Sequence, residues 1–427
     1  MDRFFHSVTL DKDLCVGCTN CIKRCPTQAI RVRGGKAQIM SERCIDCGEC
    51  IRVCPHHAKK ARHDSLDMIK NYEYTVALPA PSLYGQFNRL DDIDYVLNGI
   101  KELGFDDIFE VSRAAEIISD ATRTLLSDGK LKKPVISSAC PAVVRLIRVR
   151  FPDLCENVLP LRSPMEVAAE LAREQAVQKT GLSPESIGIF FLSPCAAKVT
   201  DVKVPIGIEK SNVDGVLAIS DIYPRLVSFM NKLQSTEQLS HSGIIGVGWS
   251  SIGGEAAGLL NENNLSADGI ENVIKVLEEL EDEKLQDLDF IELNACAGGC
   301  VGGVFAAENG YVARARIQRL RKYLPVSCNR MEDVGGVAGL LWTQPLEYAP
   351  VMTLADNVED AMRVMNKIDK IAERLPKLDC GSCGAPTCRA LAEDIVRGLA
   401  RETDCIFLMR RQIQDIVGGT QQQEGNN

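Results

Sequence analysis

The chain has 427 residues, of which 45% are hydrophobic. That is enough for two or three globular domains around at least one large core. A formal charge of −9 argues against a nucleic-acid footprint. Eighteen cysteines in a chain this long, many of them in tight C-x2-C clusters, point to metal binding rather than a disulfide scaffold. The opening Met1-Asp2-Arg3-Phe4-Phe5-His6 carries an early acid and no long apolar run, so no secretory signal is expected. No apolar stretch approaches the ~18 residues of a membrane helix. The expectation is a soluble protein in a reducing, oxygen-poor cytoplasm, without a membrane or nucleic-acid partner.

Residues 1–65 hold an internal repeat. Cys15-x2-Cys18-x2-Cys21-x3-Cys25-Pro26 is followed by Cys44-x2-Cys47-x2-Cys50-x3-Cys54-Pro55. This is the bacterial ferredoxin run, in which the fourth cysteine of each copy ligates the other cluster. One [4Fe–4S] cluster is therefore assigned to Cys15, Cys18, Cys21 and Cys54, and a second to Cys44, Cys47, Cys50 and Cys25, in an α+β ferredoxin domain. A pair of zinc sites also uses four thiolates each, but gives no reason for the interlocking pattern. Such a module carries electrons one at a time.

Across residues 66–355, short apolar runs alternate with amphipathic stretches. Val76–Leu78, Val135–Ile136, Ile187–Leu192, Val216–Ile219 and Phe290–Leu293 read as strands. Asp92–Leu103 and Pro164–Gln178 read as helices. The alternation predicts parallel α/β layers. Three cysteine segments place their cysteines just after three of these strands: Ser138-Ala139-Cys140-Pro141, Pro194-Cys195-Ala196-Ala197-Lys198, and Glu292-Leu293-Asn294-Ala295-Cys296-Ala297-Gly298-Gly299-Cys300. If the fold gathers them, four thiolates converge, the ligand count of one [4Fe–4S] cluster. Open α/β sheets bind ligands at the carboxyl ends of strands.

Residues 356–417 form a third region. Asp356–Leu375 reads as a helix with Asp356 or Asn357 as N-cap and Pro376 as a stop. Cys380, Cys383, Cys388 and Cys405 follow, with Gly381 and Gly384 for tight turns and a helix over 390–399 between the last two cysteines. This segment resembles the small helical [4Fe–4S] domain of electron-transfer and corrinoid iron–sulfur proteins; zinc is the rival metal. It could serve as an exit wire to a partner or as a redox-sensitive docking element. The tail over 418–427 is Gly-, Gln- and Asn-rich and is expected to be disordered. Cys155 and Cys328, left over from sixteen ligands, are expected to be buried small apolar residues.

The ferredoxin run and the three cysteine segments together resemble the [FeFe]-hydrogenases. Ala80-Pro81-Ser82 after a strand, Leu103–Phe109 and the Gly-Gly turn of Ile252-Gly253-Gly254-Glu255-Ala256 extend the resemblance over residues 1–325 or so. It implies a two-lobed H-cluster domain in which Cys140, Cys195, Cys296 and Cys300 hold a [4Fe–4S] cube. Cys300 would bridge to a diiron unit bearing CO, CN and a dithiolate. Pro81, Ser82, Ala139, Pro194 and Lys198 would line that unit. Lys198, one turn from Cys195, would pair with a cyanide, and Asp201 would orient it. The implied reaction is 2H⁺ + 2e⁻ ⇌ H2, with three further [4Fe–4S] clusters, a soluble redox or signalling partner and possible homo-oligomers.

The pattern breaks at the proton path. Family members that turn over fast have a cysteine where this chain has Ala139, a serine where it has Leu159, and two outer glutamates of which only Glu116 is placed, with Arg113 near the other. Losing a positioned proton donor costs about 10²–10⁴-fold in rate. The resemblance is therefore closest to the sensory branch of the family. Alternatives are a slow enzyme with another relay, or a non-catalytic assembly or electron-transfer relative without a diiron unit.

Overall fold

The computed structural model describes residues 5–351 and 353–424. The chain divides into two compact units. The larger comprises Met1–Val8, Ile45–Gly48 and Ala61–Tyr348, the smaller Thr9–Cys44, Glu49–Lys60 and Ala349–Asn427.

Two parallel sheets organise the larger unit. The first has four strands in the order Asp107–Ile108, Tyr74–Pro79, Ile187–Ser193, Gly215–Ala218. The second has three, in the order Asn264–Asp268, Phe290–Asn294, Val135–Ile136. Period-two alternation sends neighbouring side chains to opposite faces. Val76, Leu78, Ile189, Phe191 and Val216 pack with the helices Val111–Ser127 and Pro164–Thr180. Ala77, Phe190, Leu192 and Leu217 pack with Asp94–Lys101 and Ile219–Met230. A strand buried on both faces must be apolar throughout, which is why Ile187–Ser193 has no alternation to read. In the second sheet Ile136, Ile291 and Leu293 meet Pro141–Arg150 and Ile270–Glu281. All five expected strands form, and the two expected helices lie at Asp94–Lys101 and Pro164–Thr180.

The smaller unit holds the amino-terminal cysteine repeat, except Cys47, and the carboxy-terminal cysteine segment. The helix Val358–Arg374 has Asn357 as N-cap, its side chain accepting from Asp360 N at 2.8 Å. Cys388–Val396 is capped by Thr387. An antiparallel hairpin, Ile30–Arg33 with Lys36–Ile39, presents Arg31 and Arg33 to Asp394 at 2.7 and 2.6 Å, and Arg43 reaches Glu393 at 2.8 Å. Arg31, Arg43 and both acids are almost fully buried. Val32 N donates to Gly384 O at 2.8 Å. Gly384 has φ +79°, and a Cβ there would lie 2.0 Å from Val32 O, so only glycine fits.

Two expectations fail here. The last helix, Ile406–Glu424, continues into the segment expected to be disordered, because Gln and Glu sustain a helix already nucleated upstream; residues 425–427 lie outside the described residues. Cys328 is exposed rather than buried, since its loop is held by its backbone, Cys328 N donating to Glu116 at 2.8 Å. Cys155 is half-buried beside an apolar core. Among the described residues, no helix is long and apolar enough to cross a membrane.

Candidate active site

Each central cysteine is delivered by a strand end. Val135–Ile136 runs into Cys140, which occupies the N-cap position of Pro141–Arg150, with Pro141 at the first helical position. Ile187–Ser193 runs into Cys195, at the same position before Ala196–Lys203. Helix N-termini favour negative charge, and so favour thiolates. Cys195 N also donates to Ser193 Oγ at 3.0 Å. Phe290–Asn294 leads to Cys296, and Cys300 begins a short 3-10 turn. Between them Gly298 and Gly299 have φ +84° and +91°. A Cβ on Gly299 would lie 2.5 Å from Ile252 N, and one on Gly303 2.1 Å from Pro194 O. The glycines thus let the third segment close onto the Ile252 turn and onto Pro194, beside Cys195.

These strand ends enclose a cavity of ≈ 100 Å³. Its lining contains Cys140, Cys195, Cys296 and Cys300 together with Pro81, Ser82, Ala139, Pro194 and Lys198, all the residues expected there. Burial, reinforced by the neighbouring thiols, pushes Cys195 up to about 12 and raises Cys140 and Cys300 as well. Cys300 presents its surface to the cavity, so it counts as exposed although protein encloses the thiol. Four crowded thiols, of which Cys140, Cys195 and Cys300 are held toward the protonated form, suit a multivalent cation that takes them as thiolates.

Lys198 sits in the first turn after Cys195, its Nζ 3.1 Å from Asp201 Oδ2. Burial opposes its charge, but Asp201 outweighs burial and the ammonium stays protonated above its usual range. Ser82 Oγ is fully buried on the cavity wall and has no hydrogen-bond partner among the described residues. Because buried polar atoms are normally satisfied, Ser82 Oγ is a donor waiting for an acceptor, beside the ammonium of Lys198. The residues present therefore fit an anionic iron centre.

Glu116 lies apart from the cavity lining. Its carboxylate accepts from Gly243 N, Cys328 N, Asn329 N and Asn329 Nδ2, and from one hydroxyl, Ser327 Oγ. Four of the five donors are amide N–H groups, the pattern of a fixed anchor for two chain segments, one at Gly243 and one at Ser327–Asn329. Leu159 is core.

The sequence reading missed two carboxylates that do line the cavity, Glu255 and Glu292. Glu292 accepts from Gly253 N, Ala256 N and Asn294 Nδ2 at 2.9–3.0 Å. Burial lifts it to about 7 against these donors. Glu255 is raised well above the usual carboxylate range by burial and by the charge of Glu292. With three donors favouring the ionised form of Glu292, Glu255 is the one that keeps the proton. Ser137 Oγ donates to Glu255 Oε2 at 2.7 Å and accepts from Ala139 N at 3.1 Å. The available signal was an acid inside an otherwise apolar strand, Phe290-Ile291-Glu292-Leu293, and another directly after the Gly-Gly turn.

In the smaller unit, Cys15, Cys18, Cys21 and Cys54 line one small cavity. Cys25, Cys44 and Cys50 lie in this unit and Cys47 in the larger one. Cys383, Cys388 and Cys405 share an apolar core. Burial raises Cys383, reinforced by Cys380 and Cys405, while Ser382 lowers Cys380.

Residues 73–258 and 254–304 match the model of the iron only hydrogenase large subunit, C-terminal domain. Residues 7–55 match a 4Fe-4S dicluster domain and 375–407 an Fe-S cluster family. Iron hydrogenase 1 of Clostridium pasteurianum is 25% identical over 249 residues, 51% of this chain and 43% of that protein. The periplasmic [Fe] hydrogenase large subunit of Nitratidesulfovibrio vulgaris is 25% identical over 213 residues, 45% of this chain and 50% of that protein. The chain thus spans half or less of the length of these curated relatives. A solved variant of [FeFe]-hydrogenase HydA1 from Chlamydomonas reinhardtii aligns with a TM-score of 0.47 at 15% identity, covering 67% of this chain and 94% of that one. With more than half of its length matched by the large-subunit model, the protein belongs to the iron-only hydrogenase family.

Proposed function

We propose that the protein interconverts protons, electrons and H2 at an H-cluster held in the central cavity, slowly, and that it reports H2 or redox state to a soluble partner. The observation that carries this reading is the joint lining of one ≈ 100 Å³ cavity by four cysteines, Lys198 and the unpartnered Ser82 hydroxyl. Four thiolates alone would suit an ordinary cluster; a buried ammonium and a free buried donor beside them suit an additional anionic ligand set.

A bound H-cluster would supply the iron at which protons and electrons combine into H2. Cys140, Cys195, Cys296 and Cys300 would hold its cube, with Cys300 shared by the diiron unit. Lys198, steadied by Asp201, would neutralise the unit's negative charge, and Ser82 would donate to it. Apolar neighbours such as Met165, Phe191 and Trp249 exclude water, which strengthens both contacts.

The chain's own proton supply differs from the pattern it resembles. Ala139 carries no proton. Glu255, held toward its protonated form by burial and lining the cavity, takes over as donor, with Ser137 at one carboxyl oxygen and Glu292 taking the proton of the next cycle. A carboxyl held this strongly releases its proton reluctantly, which accounts for slow turnover. In the smaller unit, the docking of Gly384, next to Cys383, on Val32, a wall residue of the Cys15 cavity, supports an electron path from the amino-terminal relay to the carboxy-terminal cluster, and from there to the partner.

Infrared spectroscopy of the matured protein tests the reading. Fe–CO and Fe–CN bands that shift under H2, beside low H2 evolution, are expected. Iron-loaded protein without these bands would favour a non-catalytic assembly or electron-transfer relative. Turnover at the level of a fast hydrogenase would overturn the sensing role.

A further inference from the structure

Lys59 is a buried cation without a counter-charge. It is 2% exposed, and its Nζ has no hydrogen-bond partner among the described residues. It lines the small cavity formed by Cys15, Cys18, Cys21 and Cys54. The cavity holds no acid, only the four thiols, His56 and apolar or small polar neighbours. An unpaired buried ammonium is strongly disfavoured. A four-thiolate iron–sulfur cluster is an anion, and in that cavity it would meet the ammonium directly.

The internal repeat sharpens the point. Cys54-Pro55-His56-His57-Ala58-Lys59 corresponds position for position to Cys25-Pro26-Thr27-Gln28-Ala29-Ile30. Both copies turn backbone N–H groups toward their cysteine: Ala29 N donates to Cys25 Sγ at 3.2 Å, and the N–H groups of Lys59, Ala58 and His56 favour the Cys54 thiolate against the effect of burial. The copies differ at the last position, where Ile30, 3% exposed, is matched by Lys59. The fold does not require a charge there, since the other copy does without one.

We propose that Lys59 is a positioning residue for the first relay cluster, pairing its ammonium with the cluster and raising its reduction potential above that of the second cluster. Net charge and hydrogen bonds to sulfur are the levers that set such potentials. The reduced cluster, with one electron more, gains most from the ammonium, so the first cluster becomes the site where an electron rests. No proton or bond changes hands in that step. The inference rests on the assignment of a cluster to Cys15, Cys18, Cys21 and Cys54, which iron content checks separately.

The test is a redox titration of the whole iron-loaded protein followed by electron paramagnetic resonance, with Lys59→Met and Lys59→Arg beside the wild type. In Lys59→Met one cluster signal is expected to move to lower potential, by about tenfold or more in its one-electron equilibrium at ~59 mV per tenfold. The other signals stay, and Lys59→Arg restores most of the shift. Loss of about four irons in Lys59→Met alone, with Lys59→Arg fully loaded, also supports the charge pairing. Unchanged potentials at full iron content overturn it, as does equal loss of iron in both variants, which would mark a purely steric role.

Discussion

The central cavity and the peripheral cysteine loops bind the same kind of metal group by opposite constructions. In the cavity, cysteines separated by up to 160 positions arrive from the ends of strands in two sheets, and burial suppresses the ionisation of Cys140, Cys195 and Cys300. In the smaller unit most neighbouring cysteines are three to five residues apart in sequence, with Cys405 and Cys54 returning from farther along the chain, and some of their thiols are eased toward thiolate by nearby N–H and hydroxyl groups. A group that only carries electrons can be assembled by local turns. One that performs chemistry needs walls, a dry interior and placed donors, which only a large core supplies. The junction between the peripheral modules has its own character: Arg31, Arg33 and Arg43 meet Asp394 and Glu393 largely out of water.

The comparison breaks first at the cavity. Cys195→Ala removes one of four distant ligands, and the central cluster is expected to be lost, about four irons per chain with all Fe–CO and Fe–CN intensity, while the reduced-cluster signals of the smaller unit persist. Retention of the infrared bands would refute the joint ligand set. The next effect concerns the placed donors. Glu255→Gln keeps the shape and removes the proton, so H2 evolution is expected to fall about 10²–10⁴-fold with the infrared bands unchanged. Glu116→Gln should change the rate far less, because four of its five partners are amide N–H groups. If the two variants traded places, the outer glutamate would be the relay after all.

What the sequence disclosed follows the same division. The ferredoxin runs and the carboxy-terminal C-x2-C are local, so spacing alone groups most of their cysteines. The central set was legible because each of its three cysteine segments follows an apolar run that must be a strand, and strand ends in parallel sheets converge. Lys198 was legible through its one-turn spacing from Cys195. Glu255 and Glu292 were not, since two acids 37 positions apart become a pair only when the Gly253-Gly254 turn packs against the Phe290 strand. Nor was the Arg31–Asp394 junction, which joins residues 363 positions apart. Charged residues on a short hairpin and a short helix read as solvated faces until they are seen to meet.

The junction offers an intermediate effect. Asp394→Asn leaves Arg31 and Arg33 without their carboxylate in a buried setting, and breaking such a pair costs ~3–5 kcal/mol. Earlier release of the carboxy-terminal module in limited proteolysis and a lower unfolding midpoint are expected. Glu359→Gln, from an exposed pair with Arg363, should change stability by less than ~0.5 kcal/mol. Equal behaviour of the two variants would mean that the junction is loosely held and that the electron path through Val32 and Gly384 lacks a rigid support.

The smallest effect is a titration, and it separates the two carboxylates of the cavity. Glu292 is raised from 4.5 to about 7, so it is protonated below that pH and ionised above it. Infrared difference spectra across pH 4.5 to 8 should show the Glu292 carboxyl stretch fading as pH rises through about 7. The sign for folding is the same: a carboxyl raised in the folded state contributes stability that is complete below 4.5 and is lost as pH rises through about 7. Glu292→Gln should abolish the infrared step and flatten that part of the stability profile. It should also lower the titration of Glu255 by removing the neighbouring charge. A Glu255 titration unmoved by Glu292→Gln would show that burial alone holds its proton, and the pair would then be two independent acids rather than a donor and its reservoir.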